Sequence, residues 1–121
     1  PVGVVSLGAI DSLDGHGTLW YALGRKDVAT KGVMTEAVRS VCRIGFGELA
    51  LRSIDASVMA SNLPSRRVLE KNGFRRVGTL RNRLKLDGRF VDQVVYDLIP
   101  EDLGLAPIPS TTKTRCHLGR R

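Results

Sequence analysis

Hydrophobic and polar positions follow two different periods along the first half of the chain. Val2 to Ile10 is an apolar run rich in β-branched residues, and Thr18 to Leu23 is a second run. Between them lies Asp14-Gly15, which favours a hairpin turn because glycine takes positive φ without strain. From Gly32 the apolar residues recur at every third or fourth position, which predicts a helix of about four turns. The first half therefore predicts the order β-β-α.

The second half begins with a short strand and a short helix. Ile54 to Met59 alternates between apolar and polar residues, which is typical of a half-buried strand. The polar stretch that follows is typical of a helix start, with Asn62 or Ser65 as the capping residue. Asn72-Gly73 ends this helix, because glycine takes the left-handed position after the last turn.

A long hairpin completes the pattern. Its arms span about 74–86 and 89–99, and Asp87-Gly88 forms the turn between them. The whole order is then β-β-α-β-α-β-β without an internal repeat. We therefore predict an α/β fold of the α+β type, with a mixed, mainly antiparallel sheet flanked by helices.

The length and composition of the chain are those of one modest globular domain. The chain has 121 residues, of which 42% are hydrophobic and 26% charged. No run approaches the roughly 20 apolar residues that a membrane helix needs. Cys42 and Cys116 lie in unlike contexts and indicate neither a disulfide framework nor a metal site. We expect a cytoplasmic protein without membrane association and without a bound metal.

The net charge of +7 is concentrated at the carboxyl end of the chain. Residues 107–121 contribute +4 and contain no acid, whereas residues 1–106 carry 15 basic and 12 acidic side chains. We predict a folded domain over 1–106 and a disordered basic tail over 107–121. The tail is either solvated or in contact with RNA or a ribosome. The same two alternatives apply to the cations of the second hairpin, which are Arg75, Arg76, Arg81, Arg83 and Lys85.

The candidate chemistry lies where the second strand leads into the first helix. The stretch from Leu23 to Ala37 passes through a loop into a first helical turn, whose backbone N–H groups lack helical partners. Such an end favours a phosphate or pyrophosphate, and Gly32 would allow close approach to the backbone. Lys26 and Lys31 would add positive charge. An ordinary helix start without a ligand is the alternative.

Further motifs carry a more specific resemblance. They are Lys31-Gly32-x-x-Thr35-Glu36-Ala37, Phe46-Gly47-Glu48-Leu49, Asn62-x-x-Ser65-x-x-Val68-Leu69-Glu70-Lys71-x-Gly73-Phe74, Gly78, and Leu86-Asp87-Gly88-Arg89-Phe90-x-Asp92. In this order they resemble the GNAT superfamily of N-acetyltransferases, and within it the RimJ/RimL type that acetylates ribosomal proteins. The resemblance covers residues 2–99. It implies a GNAT fold, acetyl-CoA as cosubstrate, and a protein N-terminus or a small amine as acceptor.

The resemblance also assigns roles to particular residues. The splayed strand that pairs with the pantetheine arm corresponds to Trp20, Tyr21, Ala22 and Leu23. The backbone N–H groups that hold the pyrophosphate correspond to Ala29, Thr30, Lys31, Gly32, Val33 and Met34. Asn62 corresponds to the asparagine that bonds the pantetheine region. Ser65 corresponds to a serine near the coenzyme sulfur that is a proposed general acid, and helix capping is its alternative role. Asp92 either holds the hairpin or acts as a base.

Family members have a further strand-helix-helix-strand segment before the position of Val2, which forms part of the acceptor cleft. We therefore expect a fragment of a longer protein, or else a truncated form that needs a partner to complete the site. We also expect the isolated chain to self-associate through the Val2 to Ile10 strand or to be less stable than an extended form. The expected reaction is direct acetyl transfer to an amine in a ternary complex. One alternative is an inactive coenzyme A-binding remnant, since Ala29 stands where the family usually has Arg or Gln. Another is a basic module associated with RNA or a ribosome.

Overall fold

The computed structural model describes residues 3–11, 13–23 and 28–105 of the chain. Its strands are β1 (Gly3–Asp11), β2 (His16–Leu23), β3 (Ser53–Met59), β4 (Arg75–Leu86) and β5 (Arg89–Leu98). Its helices are α1 (Val28–Gly47), α2 (Leu63–Lys71) and a 3-10 turn at Pro100–Leu103. The predicted order β-β-α-β-α-β-β is confirmed. The predicted basic tail and the loop at 24–27 lie outside the described residues.

The strands form a single mixed sheet in the order β1-β2-β3-β5-β4. Neighbouring strands are antiparallel except for β2 and β3, which run parallel. The parallel pair arises because α1 crosses over between these two strands, whereas tight turns join the two antiparallel hairpins. Among the helices described, none has the length and apolarity needed to cross a membrane.

The helices cover one face of the sheet and enclose the core there. Side chains alternate along each strand, so that one set points to this face and the other set points away from it. The buried strand residues are Leu19, Ile54, Ala56, Val94, Tyr96 and Leu98, and the helices add Met34, Val38, Cys42, Phe46, Val68 and Leu69. On the opposite face, the Trp20 side chain is 55% exposed. The described part of the chain is thus a two-layer arrangement with one open sheet face.

Helix α1 begins at Val28, four residues earlier than the change of period at Gly32 indicated. Among the side chains described for this helix, the first buried one is Met34. The positions three and four residues before Met34 are Lys31 and Thr30, which are polar, so hydrophobic periodicity could not reveal the first turn. Gly32 consequently lies in the second turn of a 20-residue helix rather than at its start.

The predicted turns are confirmed, and Gly73 shows most clearly why the residue is glycine. Its φ is +88°, and a Cβ atom there would lie 2.9 Å from the backbone oxygen of Asp102. Both the backbone conformation and the close approach therefore exclude a side chain. The Asp87-Gly88 turn has positive φ at both residues, 52° and 76°, which matches the twist of the hairpin strands.

Candidate active site

Strands β2 and β3 separate halfway along their length. Their parallel pairing ends at Leu19 opposite Ala56, although β2 continues to Leu23 and β3 to Met59. Beyond that point β2 remains paired with β1, and β3 remains paired with β5. We call the space between residues 20–23 and 57–59 the strand gap. The backbone groups that face it have no partner strand within the described residues, and so they can bind an extended ligand.

Both helices begin at the end of the sheet where the strand gap opens. Helix α1 follows the carboxyl end of β2, and α2 follows the carboxyl end of β3. The first four N–H groups of each helix have no intrahelical partner, and the helix dipoles place partial positive charge there. This end of the molecule therefore combines free strand edges with anion-attracting helix starts.

The earlier start of α1 changes which predicted phosphate-binding residues have free N–H groups. Residues 28–31 form the first turn, so Ala29 and Thr30 retain N–H groups without helical acceptors, whereas Lys31 lies where the first helical bond forms. The N–H groups of residues 32–34 lie at positions that donate to the carbonyl four residues earlier in the helix. Of these, Met34 is buried in the core, whereas Gly32 is exposed and a Cβ there would meet nothing within 4 Å. Pyrophosphate binding at this helix start stays a prediction.

Asn62 caps helix α2 and lies beside the end of β3. Its Oδ1 accepts a hydrogen bond of 3.3 Å from the backbone N–H of Ser65. The alternative in which Ser65 is the cap is therefore wrong, because Ser65 lies three residues inside the helix start. The amide nitrogen of Asn62 donates to no described residue, so it remains available to a ligand carbonyl.

Ser65 and Tyr21 connect the two sides of the strand gap. Tyr21 belongs to the separated half of β2, and its phenol donates a hydrogen bond to the backbone oxygen of Ser65 in the first turn of α2. Burial raises the pKa of Tyr21 above its ordinary value, and the neighbouring Tyr96 adds to this rise, so the phenol stays protonated at neutral pH. Ser65 is only 5% exposed, and its hydroxyl, which bonds no described residue, retains some contact with the surface.

The remaining strand residues predicted to contact the coenzyme also border the strand gap. Trp20, Ala22 and Leu23 lie with Tyr21 in the separated half of β2. The indole of Trp20 lies on the open sheet face and does not enter the gap. The structure thus brings together Tyr21, Asn62 and Ser65, with the first turn of α1 at the same end of the sheet.

A polar network around the buried Tyr96 supports this site, and sequence reasoning missed it. Arg66 donates from Nε to the hydroxyl of Tyr96 and from Nη1 to the backbone oxygen of Ala60, both at 3.0 Å. Tyr96 is fully buried on β5 and donates in turn to Oε2 of Glu70 at 3.0 Å. The network fixes the loop that carries Asn62 against β5. Its partners are far apart in sequence, so only the fold reveals the pairing.

Asp92 holds the second hairpin, in agreement with the structural role predicted for it. Its Oδ1 accepts a hydrogen bond of 2.9 Å from the N–H of Asn82, a residue with a φ of +51° in a bulge of β4. Its backbone oxygen accepts from the N–H of Ala60 at 2.9 Å. Asp92 therefore joins the bulge to the end of β3.

A second polar cluster lies at the opposite end of the sheet. Asp11, Asp14 and His16 bring potential ligand atoms within 4.8 Å of one another. Oδ1 of Asp11 already accepts from the N–H groups of Leu13 and Asp14 at 3.0 Å, and these bonds shape the β1–β2 turn. The bond from Asp14 also lowers the pKa of Asp11. These contacts are those of a turn, and His16 is exposed.

Known proteins share this arrangement. A model of the Acetyltransferase (GNAT) domain family matches residues 1–75. The probable N-acetyltransferase YjcK of Bacillus subtilis is 51% identical over 73 residues, which cover 60% of this chain and 40% of that protein. The uncharacterized N-acetyltransferase p20 of Bacillus licheniformis is 33% identical over 101 residues, which cover 84% of this chain and 56% of that protein. The chain spans about half the length of these relatives.

Solved structures agree with the sequence relatives. The ribosomal-protein-S5-alanine acetyltransferase from Vibrio fischeri is similar with a TM-score of 0.74 at 27% identity, over 84% of this chain and 56% of that one. RimJ of Mycobacterium smegmatis, in complex with CoA-disulfide, is similar with a TM-score of 0.71 at 26% identity, over 87% of this chain and 50% of that one.

Proposed function

The chain belongs to the GNAT family of acetyltransferases, and from this premise we propose that it transfers an acetyl group from acetyl-CoA to a primary amine. The observation that carries the proposal is the strand gap, which opens between two helix starts and is bordered by Tyr21, Asn62 and Ser65. An elongated ligand with a polar arm and an anionic end suits such a site.

The coenzyme would bind along the gap. Its pantetheine amides would pair with the free backbone groups of β2, and the Asn62 amide would donate to one of its carbonyls. Its pyrophosphate would accept from the N–H groups at the start of α1, where Ala29 and Thr30 lie in the first turn. Each contact uses a group that has no partner within the described residues.

The reaction proposed is direct attack. The neutral amine forms a bond to the thioester carbon, the carbon–sulfur bond breaks, and the sulfur leaves as a thiolate. The hydroxyl of Ser65, which lies beside the gap, would donate a proton to that sulfur and regain a proton from solvent water. The proton lost by the amine passes to water. Backbone N–H groups of the gap would stabilise the developing oxyanion.

We further propose that the acceptor is a protein N-terminus. The support is the similarity to the ribosomal-protein-S5-alanine acetyltransferase and to RimJ, both above 25% identity. Such a function would bring the chain into contact with ribosomal proteins or the ribosome. It would take place in the cytoplasm, whose reducing conditions suit the free buried thiol of Cys42.

The proposal is tested by calorimetry with acetyl-CoA and a matched pair of variants. Asn62→Asp keeps a capping oxygen and adds a negative charge at a helix start, so the free energy of unfolding should stay within about 0.5 kcal/mol of the wild type. The same variant loses the amide donor, so its affinity for acetyl-CoA should fall roughly tenfold. Asn62→Ala should lose both affinity and about 1 kcal/mol of stability.

Two results would change the conclusion. A folded wild-type chain that gives no heat with acetyl-CoA would refute coenzyme binding. If acetyl-CoA binds but mass spectrometry detects no acetylation of any N-terminal peptide, the chain is instead a coenzyme A-binding remnant. Equal affinity of the wild type and Asn62→Asp would remove Asn62 from the site.

A further inference from the structure

The tip of the β4–β5 hairpin carries an excess of positive charge. We call residues 81–90 the hairpin tip, and every one of them is exposed. The tip contains four cations and one acid, which are Arg81, Arg83, Lys85, Arg89 and Asp87. None of these cations forms an ion pair with a described residue, although the ammonium of Lys85 lies 5.9 Å from the centre of the Phe90 ring. The tip is therefore a basic surface that is free to bind.

The hairpin tip projects past the end of the sheet where the strand gap opens. Met59 at the end of β3 pairs with Gln93 of β5, and the N–H of Ala60 bonds the oxygen of Asp92. Because β5 runs antiparallel to β3, the residues before Asp92 continue beyond the carboxyl end of β3. Asn62 follows Ala60 by two residues. A molecule bound to the tip would thus lie next to the candidate active site.

The conformation of the tip is fixed, and it also offers apolar surface. The bond between Asp92 and the N–H of Asn82 sets the bulge at its base, and the Asp87-Gly88 turn closes its end. Leucines at 80, 84 and 86 are between 37% and 46% exposed on the hairpin. Cations and apolar side chains are therefore presented together, on a strand that forms the edge of the sheet.

We propose that the hairpin tip binds an acidic amino-terminal segment of a protein acceptor and so selects acceptors by charge. The inference rests on the proposed function of the adjacent site. A polypeptide fits better than RNA, because the tip has a single aromatic ring, and Lys85 already covers it. The exposed leucines suit a peptide rather than bases. A second copy of the same basic hairpin would be repelled.

Fluorescence anisotropy with the full 121-residue chain tests this surface. The probes are a labelled peptide with several Asp and Glu residues after a free N-terminus, and the same peptide with Asn and Gln instead. The tip variant is Arg83→Gln with Arg89→Gln. The matched control is Arg43→Gln with Lys71→Gln, which removes two exposed cations from α1 and α2, away from the tip. Light scattering checks that the association state of the variants is unchanged.

At low salt the tip variant should bind the acidic peptide roughly fivefold more weakly than the wild type, because it loses two exposed charge pairs. The control variant should bind it less than about twofold more weakly. The difference should shrink as salt is raised. Both variants should bind acetyl-CoA as the wild type does. Equal affinity for the acidic and the amide peptide would overturn the inference, as would equal weakening in both variants. Displacement of the peptide by a single-stranded RNA that needs the same cations would assign the tip to RNA instead.

These measurements test the coenzyme site and the hairpin tip independently. If acetyl-CoA binds and the acidic peptide does not, the inference about the tip is refuted and the proposed coenzyme site stands. If the acidic peptide binds through the tip while acetyl-CoA does not bind, the proposed function is refuted and the acidic-peptide surface stands as a binding site.

Discussion

Ser65 is largely buried and its hydroxyl bonds no described residue, and these two facts determine what its removal should do. Because Asn62 provides the cap of α2, Ser65→Ala removes no capping bond and should change the free energy of unfolding by less than about 0.5 kcal/mol. If the hydroxyl protonates the departing sulfur, kcat should fall by about 10²–10⁴-fold with little change in the KM for acetyl-CoA. Steady-state kinetics of the complete protein with saturating acceptor checks this. A normal kcat in the Ser65→Ala variant would show that solvent, and not Ser65, protonates the thiolate.

Tyr21 should make the stability of the fold depend on pH in the alkaline range. Its phenol is buried against Ser65, and its pKa is raised in the folded state. The unfolded chain therefore ionises first, so stability stays constant up to about pH 10 and decreases above it. Tyr21→Phe should lose about 1 kcal/mol at neutral pH, because the hydrogen bond is absent, and should show a weaker alkaline decrease. Urea unfolding at pH 7 and above pH 10 measures both effects. Parallel curves for the two proteins would contradict the assignment.

At the scale of elements, the start of α1 offers a test that separates charge from helix propensity. Gly32 is exposed in the second turn, with nothing within 4 Å of an added Cβ. Gly32→Ala should therefore stabilise the helix by up to about 1 kcal/mol. Gly32→Asp places a negative charge near the predicted pyrophosphate and should weaken acetyl-CoA binding roughly tenfold more than Gly32→Ala does. Thermal melting and calorimetry on both variants decide the matter. Unchanged affinity in folded Gly32→Asp would refute this phosphate site.

The helices and strands also show how much of the fold could be predicted from the sequence. Turns such as Asp87-Gly88 were predictable because their chemistry is local, and apolar periodicity was sufficient for the order of strands and helices. The first turn of α1 was missed because its residues carry no apolar stripe. Asn72 was predicted only to end α2, yet its buried side chain also accepts from Arg39 at 3.0 Å and donates to the oxygen of Thr35 at 3.1 Å. Such bonds join residues more than 30 positions apart, and only the packing of α1 on α2 brings them together.

The candidate site was predictable by residue type, whereas its geometry was not. Motif positions indicated Asn62 and Ser65, but only the structure assigns the cap to one of them. The bond from Tyr21 to Ser65 depends on how far β2 and β3 diverge, and the network of Arg66, Tyr96 and Glu70 depends on how α2 packs against β5. That divergence is a property of the folded sheet, and no local pattern specifies it.

At the scale of the whole molecule, β1 is the outermost strand of the sheet on one side. Its outer hydrogen-bonding groups meet no strand within the described residues, and such an edge is a template for pairing with another chain. We therefore predict that the 121-residue chain self-associates in a concentration-dependent way, as measured by light scattering.

A charged side chain on the edge strand should reduce this association. Ser6 is exposed on β1, so Ser6→Lys should shift the chain towards monomer without lowering its melting temperature by more than about 2 °C. Ser40→Lys makes the same change at an exposed position on α1 and should leave association unchanged. The physical reason is that an approaching strand must desolvate the new ammonium only when it lies along the paired edge. A wild-type chain that is monomeric at all concentrations and melts cooperatively at high temperature would contradict the prediction, and equal effects of the two lysines would point to net charge rather than the β1 edge.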